Sequence, residues 1–160
     1  VDDELHAWTK RIGRIASDVS DHQARLHQTV YLTNMKVLVC GSRDWVDQAP
    51  IERELRKLPP GTILVHGAAR GVDNIAGYVG KLLGFTVRAY PADWDKHGKA
   101  AGPIRNSLML QREHPDPDGV YIDRVLAFHR DPSLGKGTKN MVEQASKAQP
   151  TIHITKYCSL

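Results

Sequence analysis

Five short apolar runs, separated by turns and helical patterns, constrain this chain more than any other feature. They are Lys36–Cys40 (KVLVC), Thr62–His66 (TILVH), Thr86–Tyr90 (TVRAY), Arg124–Phe128 (RVLAF) and Thr151–Thr155 (TIHIT). Between them the apolar spacing changes to that of helices. A helix from about Asp47 to Leu58 sets Ile51, Leu55 and Leu58 on one face, and another sets Val72, Ile75, Ala76, Val79, Leu82 and Leu83 inward before Gly84 stops it. Pro103 is suited to start a short third helix with Ile104 and Leu108 inward, and a last helix is expected over 139–148. The segment 114–119, HPDPDG, is read as a turn-rich insertion. Strands alternating with helices imply an α/β fold, a doubly wound parallel sheet of about five strands.

The first 34 residues have a different character. Leu5, Trp8, Ile12, Ile15, Val19, His22, Leu26 and Thr29 describe one stripe of an amphipathic helix whose heptad pattern weakens toward its end. Such a helix either lies against the domain or pairs with its copy in a homo-oligomer. The expected organisation is an N-terminal helical extension over 1–34 and one domain over 35–160.

With 160 residues, 41% of them hydrophobic and 25% charged, the chain can bury a core and is not disordered. Asp2, Asp3 and Glu4 stand where a secretory signal would carry basic residues, and no apolar run approaches the ~20 residues that span a bilayer. Cys40 and Cys158, far apart and in no metal spacing, read as thiols of a reducing compartment. A cytoplasmic protein with no membrane partner is expected. The net charge of +4 suits anionic ligands, but the cations form no single run of the kind that marks a nucleic-acid-binding surface.

Chemistry is expected at the loops. In an open parallel sheet, ligands bind beyond the carboxyl ends of the strands, where the strand order reverses. The loops leaving strands one, two and four read GSRDW, HGAARGVD and HRDPSLGKGT. All combine glycine, which lets backbone amides approach a ligand, with a cation or hydroxyl, and each opens a helix whose first amides attract phosphate. Neither G-x-G-x-x-G after the first strand nor G-x-x-x-x-G-K-[ST] is present, which disfavours a dehydrogenase and an ATPase.

These residues resemble a known family. GSRDW at 41–45, HGAARGVD at 66–73, YPADWDKHGKAAGPIRN at 90–106 and the S-x-x-x-G-T segment from Ser133 to Thr138 resemble the YspA, cpYpsA-related branch of the SLOG superfamily, common in bacteria and phages. The resemblance runs from about residue 36 to 155. It implies a Rossmann-like fold, a nucleotide or nucleotide-derived ligand under the glycine-rich loops, a homodimer, and residence in a bacterial cell or a phage-infected host. Relatives include the Lonely Guy phosphoribohydrolases, the DNA-processing protein A family and sensors of cyclic nucleotide signals. The Lonely Guy pattern P-G-G-x-G-T-x-x-E carries a catalytic glutamate. Setting Gly137-Thr138 on its G-T puts Met141 at that position, while Arg105 matches the accompanying arginine. Methionine can neither stabilise charge building on a ribose nor activate water.

The expected ligand contacts follow the loops. Gly41, Ser42, Arg43, Asp44 and Trp45 form the first group, and His66, Gly67, Arg70, Gly71 and Asp73 the second. Arg70 either meets the ligand or pairs with Asp73, which in turn either caps its helix or accepts a ribose hydroxyl. Asp93, Asp95 and His97 read as a polar loop, with no metal expected; His97 and Lys99 are candidate ligand contacts. Trp45 and Trp94 are each either a stacking surface or core. Arg105 and Asn106 are expected in the first turn of their helix, where the dipole disfavours a cation and a bound phosphate resolves the misfit. Ser133, Gly135, Gly137 and Thr138 complete the cradle, with Lys136 solvated. No cofactor is assigned beyond a nucleotide-like ligand. The alternatives are a nucleosidase using Asp73, Asp44 or Asp93 with Arg105, and a single-stranded DNA-binding module, for which nucleic acid is the less favoured partner.

Overall fold

Strand β1 (Lys36–Gly41) runs through the middle of the sheet, and its side chains divide the core in two. Val37 and Val39 point to one face and Leu38 and Cys40 to the other, as the two-residue period of a strand requires. The computed structural model describes residues 35–158. Within them β2 (Ile63–His66), β3 (Thr86–Ala89), β4 (Arg124–Phe128) and β5 (His153–Tyr157) join β1 in one sheet of order β3-β2-β1-β4-β5. All four pairings are parallel, so the doubly wound, Rossmann-like architecture is observed. Helices α1 (Gln48–Leu55) and α2 (Val72–Leu82) supply one covering layer, with Ile51, Leu55, Val72, Ala76 and Val79 packed on β1, β2 and β4. On the other face lie α4 (Ala101–Glu113) and α5 (Gly135–Ser146), which contribute Met109, Met141, Val142 and Ala145. The short α3 (Trp94–His97) and a 3-10 turn, Gly98–Ala100, lead into α4. The strand order reverses between β1 and β4, and Gly41 pairs with Phe128 at their carboxyl ends.

Several boundaries differ from the expectations for physical reasons. Helix α5 begins at Gly135, not near Lys139, because buried Leu134 takes a left-handed φ of 67° and turns the chain directly into the helix. Helix α4 begins at Ala101, so Pro103 lies inside its first turn and Arg105 and Asn106 fall beyond it. Ile104 is exposed; the inward face instead carries Gly102, Asn106, Met109 and Glu113, and two polar members hide it from a search for apolar periodicity. Leu82 is also exposed, at 66%. Strand β5 sits two residues later than expected, a shift that keeps alternate side chains on the same faces. The readings of residues 1–34, as a helix on the domain or as a pairing surface, lie outside the described residues. Among the described residues no helix is long and apolar enough to cross a membrane.

The amino end of β1 is fastened by buried charge. Lys36 has no solvent exposure, and its Nζ contacts Glu113 Oε2 at 2.9 Å and Asp116 Oδ2 at 2.7 Å. It also donates to the carbonyls of Glu113 and Val120. Arg88 of β3 reaches the same two carboxylates at 2.7 and 3.1 Å, and the Tyr90 hydroxyl donates to Glu113. Two cations against two carboxylates keep the cluster neutral. The HPDPDG segment is thus anchored through Asp116, not a free surface insertion. Burial alone would raise the Asp116 carboxyl, but Lys36, the Val120 amide and Arg88 outweigh it and hold the group below the ordinary carboxylate range.

Candidate functional site

The loop leaving β1 is held from both sides by backbone. Ser42 donates its amide to the Phe128 carbonyl at 3.0 Å, and its own carbonyl accepts from the Val72 amide at 3.1 Å. The ends of β1 and β4 and the start of α2 are thereby one unit. Gly71 permits this junction: its φ is 78°, and a Cβ there would lie 2.3 Å from the Ser42 carbonyl oxygen. A cavity of about 340 Å³ opens at this carboxyl edge, between the loops after β1, β2 and β4. It lies where the strand order reverses, the position that ligands take in such sheets.

Its floor is uncharged. Cys40, Met109 and Met141 line it, and burial pushes the Cys40 thiol far above its usual range. Met141 is 1% exposed. The rim is charged and hydrogen-bonding. Arg105 donates from Nε to Asn106 Oδ1 at 3.0 Å, and from Nη1 to the carbonyls of Gly67 and Tyr90. Its Nη2 has no partner among the described residues, and no carboxylate there pairs with Arg105 or with Arg43. Asn106 is buried and donates to Asn140 Oδ1 at 3.0 Å, which fixes the side of α4 that faces α5.

Helix α5 starts without a side-chain cap, and the amides of Gly135, Lys136 and Gly137 are unpaired among the described residues. All three residues and Thr138 line the cavity. An uncapped helix start is a seat for an anion. By contrast, Asp47 accepts from the Ala49 amide at 3.1 Å, so the start of α1 is already satisfied.

Asp73 is 5% exposed and accepts the amides of Gly67 and Ala69, at 3.0 and 3.3 Å, through one oxygen, Oδ2. Its Oδ1 has no partner among the described residues yet is not sealed from solvent, and the residue lines the cavity. Burial pushes this carboxyl up to about 6, against the pull of the two amides, Arg105 and Arg43.

The cavity thus gathers Gly41, Ser42, Arg43, Asp44, Gly67, Asp73, Arg105, Asn106, Gly135, Gly137 and Thr138 of the expected contacts. Others stand elsewhere. Trp45 is 4% exposed and meets Phe128 edge to face with ring centroids 6.0 Å apart, so it is core and offers no stacking surface. His66 is buried outside the cavity lining: its Nδ1 accepts from the Ala68 amide, and burial lowers it to about 4, which leaves the ring neutral. His97, Lys99 and Ser133 also lie outside the lining, and Asp93 caps α3 through the Lys96 amide. Arg70 pairs with Asp44 at 3.4 Å, not with Asp73. Sequence reasoning missed Cys40 and Met109 as floor residues, and His129 and Leu134 on the wall. The position of Leu134 and His129 in the loop after β4 was the available signal.

The chain matches known proteins as follows. The family described as YspA, cpYpsA-related SLOG family matches residues 35–97. The Gene 61 protein of Mycobacterium phage D29 is 35% identical over 122 residues, covering 71% of this chain and 90% of that protein. The X-ray structure of DNA processing protein A from Streptococcus pneumoniae is similar over 78% of this chain, with 14% identity and a TM-score of 0.48. This chain spans 59% of that one.

Proposed function

The chain belongs to the YspA, cpYpsA-related SLOG family, and from that premise we propose that it binds a nucleotide or nucleotide-derived ligand in the cavity between β1 and β4. Phosphate sits on the amides that open α5, within reach of Arg105, and a ribose hydroxyl donates to Asp73 Oδ1. The observation that carries this reading is the uncapped start of α5 opening on the same cavity as an arginine with no carboxylate partner among the described residues. Phosphate satisfies both at once, since a charge-assisted contact is stronger than a neutral one. Titration calorimetry with AMP tests it. Binding is expected, and Arg105→Ala weakens it at least tenfold, about 1.4 kcal/mol. An unchanged affinity removes Arg105 from the site.

A second reading rests on Asp73. A carboxyl raised to about 6, with one oxygen open to the cavity, has the acidity of a general acid or base. It is the replacement acid for a nucleosidase in which Met141 occupies the glutamate position. Release of free adenine from AMP, lost in Asp73→Asn, supports hydrolysis; AMP recovered intact supports binding alone.

A further inference from the structure

A second cavity, of about 520 Å³, adjoins the first and shares Arg43, Gly67, Ala69 and Arg105 with it. Either volume is within the ~300–1,000 Å³ of small-ligand sites, so one nucleoside does not account for both. The second cavity differs in character. Its outer wall is Pro91, Ala92 and Trp94, and its polar members are the three arginines Arg43, Arg70 and Arg105. Arg70 has Asp44 at 3.4 Å, but both side chains are largely in water, where such a pair contributes little. Three guanidinium groups around one space, two of them without a carboxylate partner among the described residues, form a seat for phosphate. Trp94 is 47% exposed on the four-residue α3, and the Arg43 guanidinium lies over its ring, 5.0 Å from the centroid. An exposed indole with a cation on one face keeps the other face for a base to stack on.

We propose that the ligand is a dinucleotide, two nucleosides joined through phosphate, with one nucleoside in each cavity and the bridge beside Arg43 and Arg105. The proposal rests on the nucleotide reading of the first cavity and extends it. Both cavities are seats for anions, they meet at two shared arginines, and the indole wall belongs to the second alone. Stacking is tolerant of base identity, so adenine probes report on the class.

Calorimetry compares AMP with the 5′-phosphorylated diadenylate pApA, diadenosine pyrophosphate and a twenty-residue oligothymidylate. At least one of the two dinucleotides is expected to bind tenfold or more tighter than AMP. Trp94→Ala removes that excess while leaving AMP affinity unchanged, and Trp94→Phe restores most of it. Preference for pApA identifies a phosphodiester bridge; preference for the pyrophosphate identifies the shorter link. If AMP binds and neither dinucleotide binds more tightly, or if Trp94→Ala leaves the excess intact, the dinucleotide is overturned and the nucleotide reading stands. If no probe binds, both readings fall. Salt-sensitive binding of the oligothymidylate without binding of either dinucleotide overturns the proposal in favour of a single strand.

Discussion

At the scale of single residues, the position of Arg105 depends on an absent side chain opposite it. A Cβ on Gly67 would lie 2.2 Å from Arg105 Nη1, inside any real contact, while the backbone there needs no left-handed conformation. Gly67→Ala is therefore expected to fold with a melting temperature within a few degrees of the parent, yet to lose AMP affinity as Arg105→Ala does. Full affinity in Gly67→Ala would mean that the guanidinium needs no such seat. The sequence announced Gly67 and Arg105 separately, through glycine in a turn and a cation at a helix start. Their apposition was not legible, because the two are 38 positions apart and meet only when α4 comes against the loop after β2. Trp45 and His66 show the converse: loop position marked both for a ligand, but packing on Phe128 and the close approach of α2 at Gly77 claim them.

At the scale of elements, the strands and most helices were legible because apolar periodicity needs only local sequence. What was not legible is the stripe of α4 that faces inward through Asn106 and Glu113, since their partners come from α5 and from the amino end of β1. A lysine opening an apolar strand was the only local hint of that cluster. Removing Lys36 strands two buried carboxylates with Arg88 alone, and breaking a buried pair in this way costs about 3–5 kcal/mol. Lys36→Met is expected to lower the melting temperature by more than ~10 °C. A loss under ~2 °C would show that the cluster does not hold β1, α4 and the 114–119 turn together.

At the scale of the whole molecule, two buried groups oppose each other as pH falls. His66, lowered from 6.5 to about 4, stays neutral in the folded chain while the unfolded chain takes up a proton, so acidification through this range favours unfolding. Asp73, raised from 3.8 to about 6, takes its proton in the folded chain first, so acidification over nearly the same range favours the fold. Below that range the depressed Asp116 keeps its charge in the fold after unfolded chains have bound a proton, and its stabilisation is lost as pH falls further. Melting temperature is expected to change little from pH 6.5 to 4.5 and to drop below pH 4. In Asp73→Asn the His66 contribution is no longer offset, and the decline begins near pH 6. Superimposable profiles would contradict the raised Asp73.

Ser42 spends both its amide and its carbonyl on backbone partners from β4 and α2, and neither bond involves a side chain. The positions after it, Arg43 and Asp44, consequently project from a scaffold that does not depend on what they are. Their chemistry is free to be rewritten without refolding the neighbourhood. Substitutions at either position are therefore expected to alter the rim of the cavity while the junction of β1, β4 and α2 stays intact.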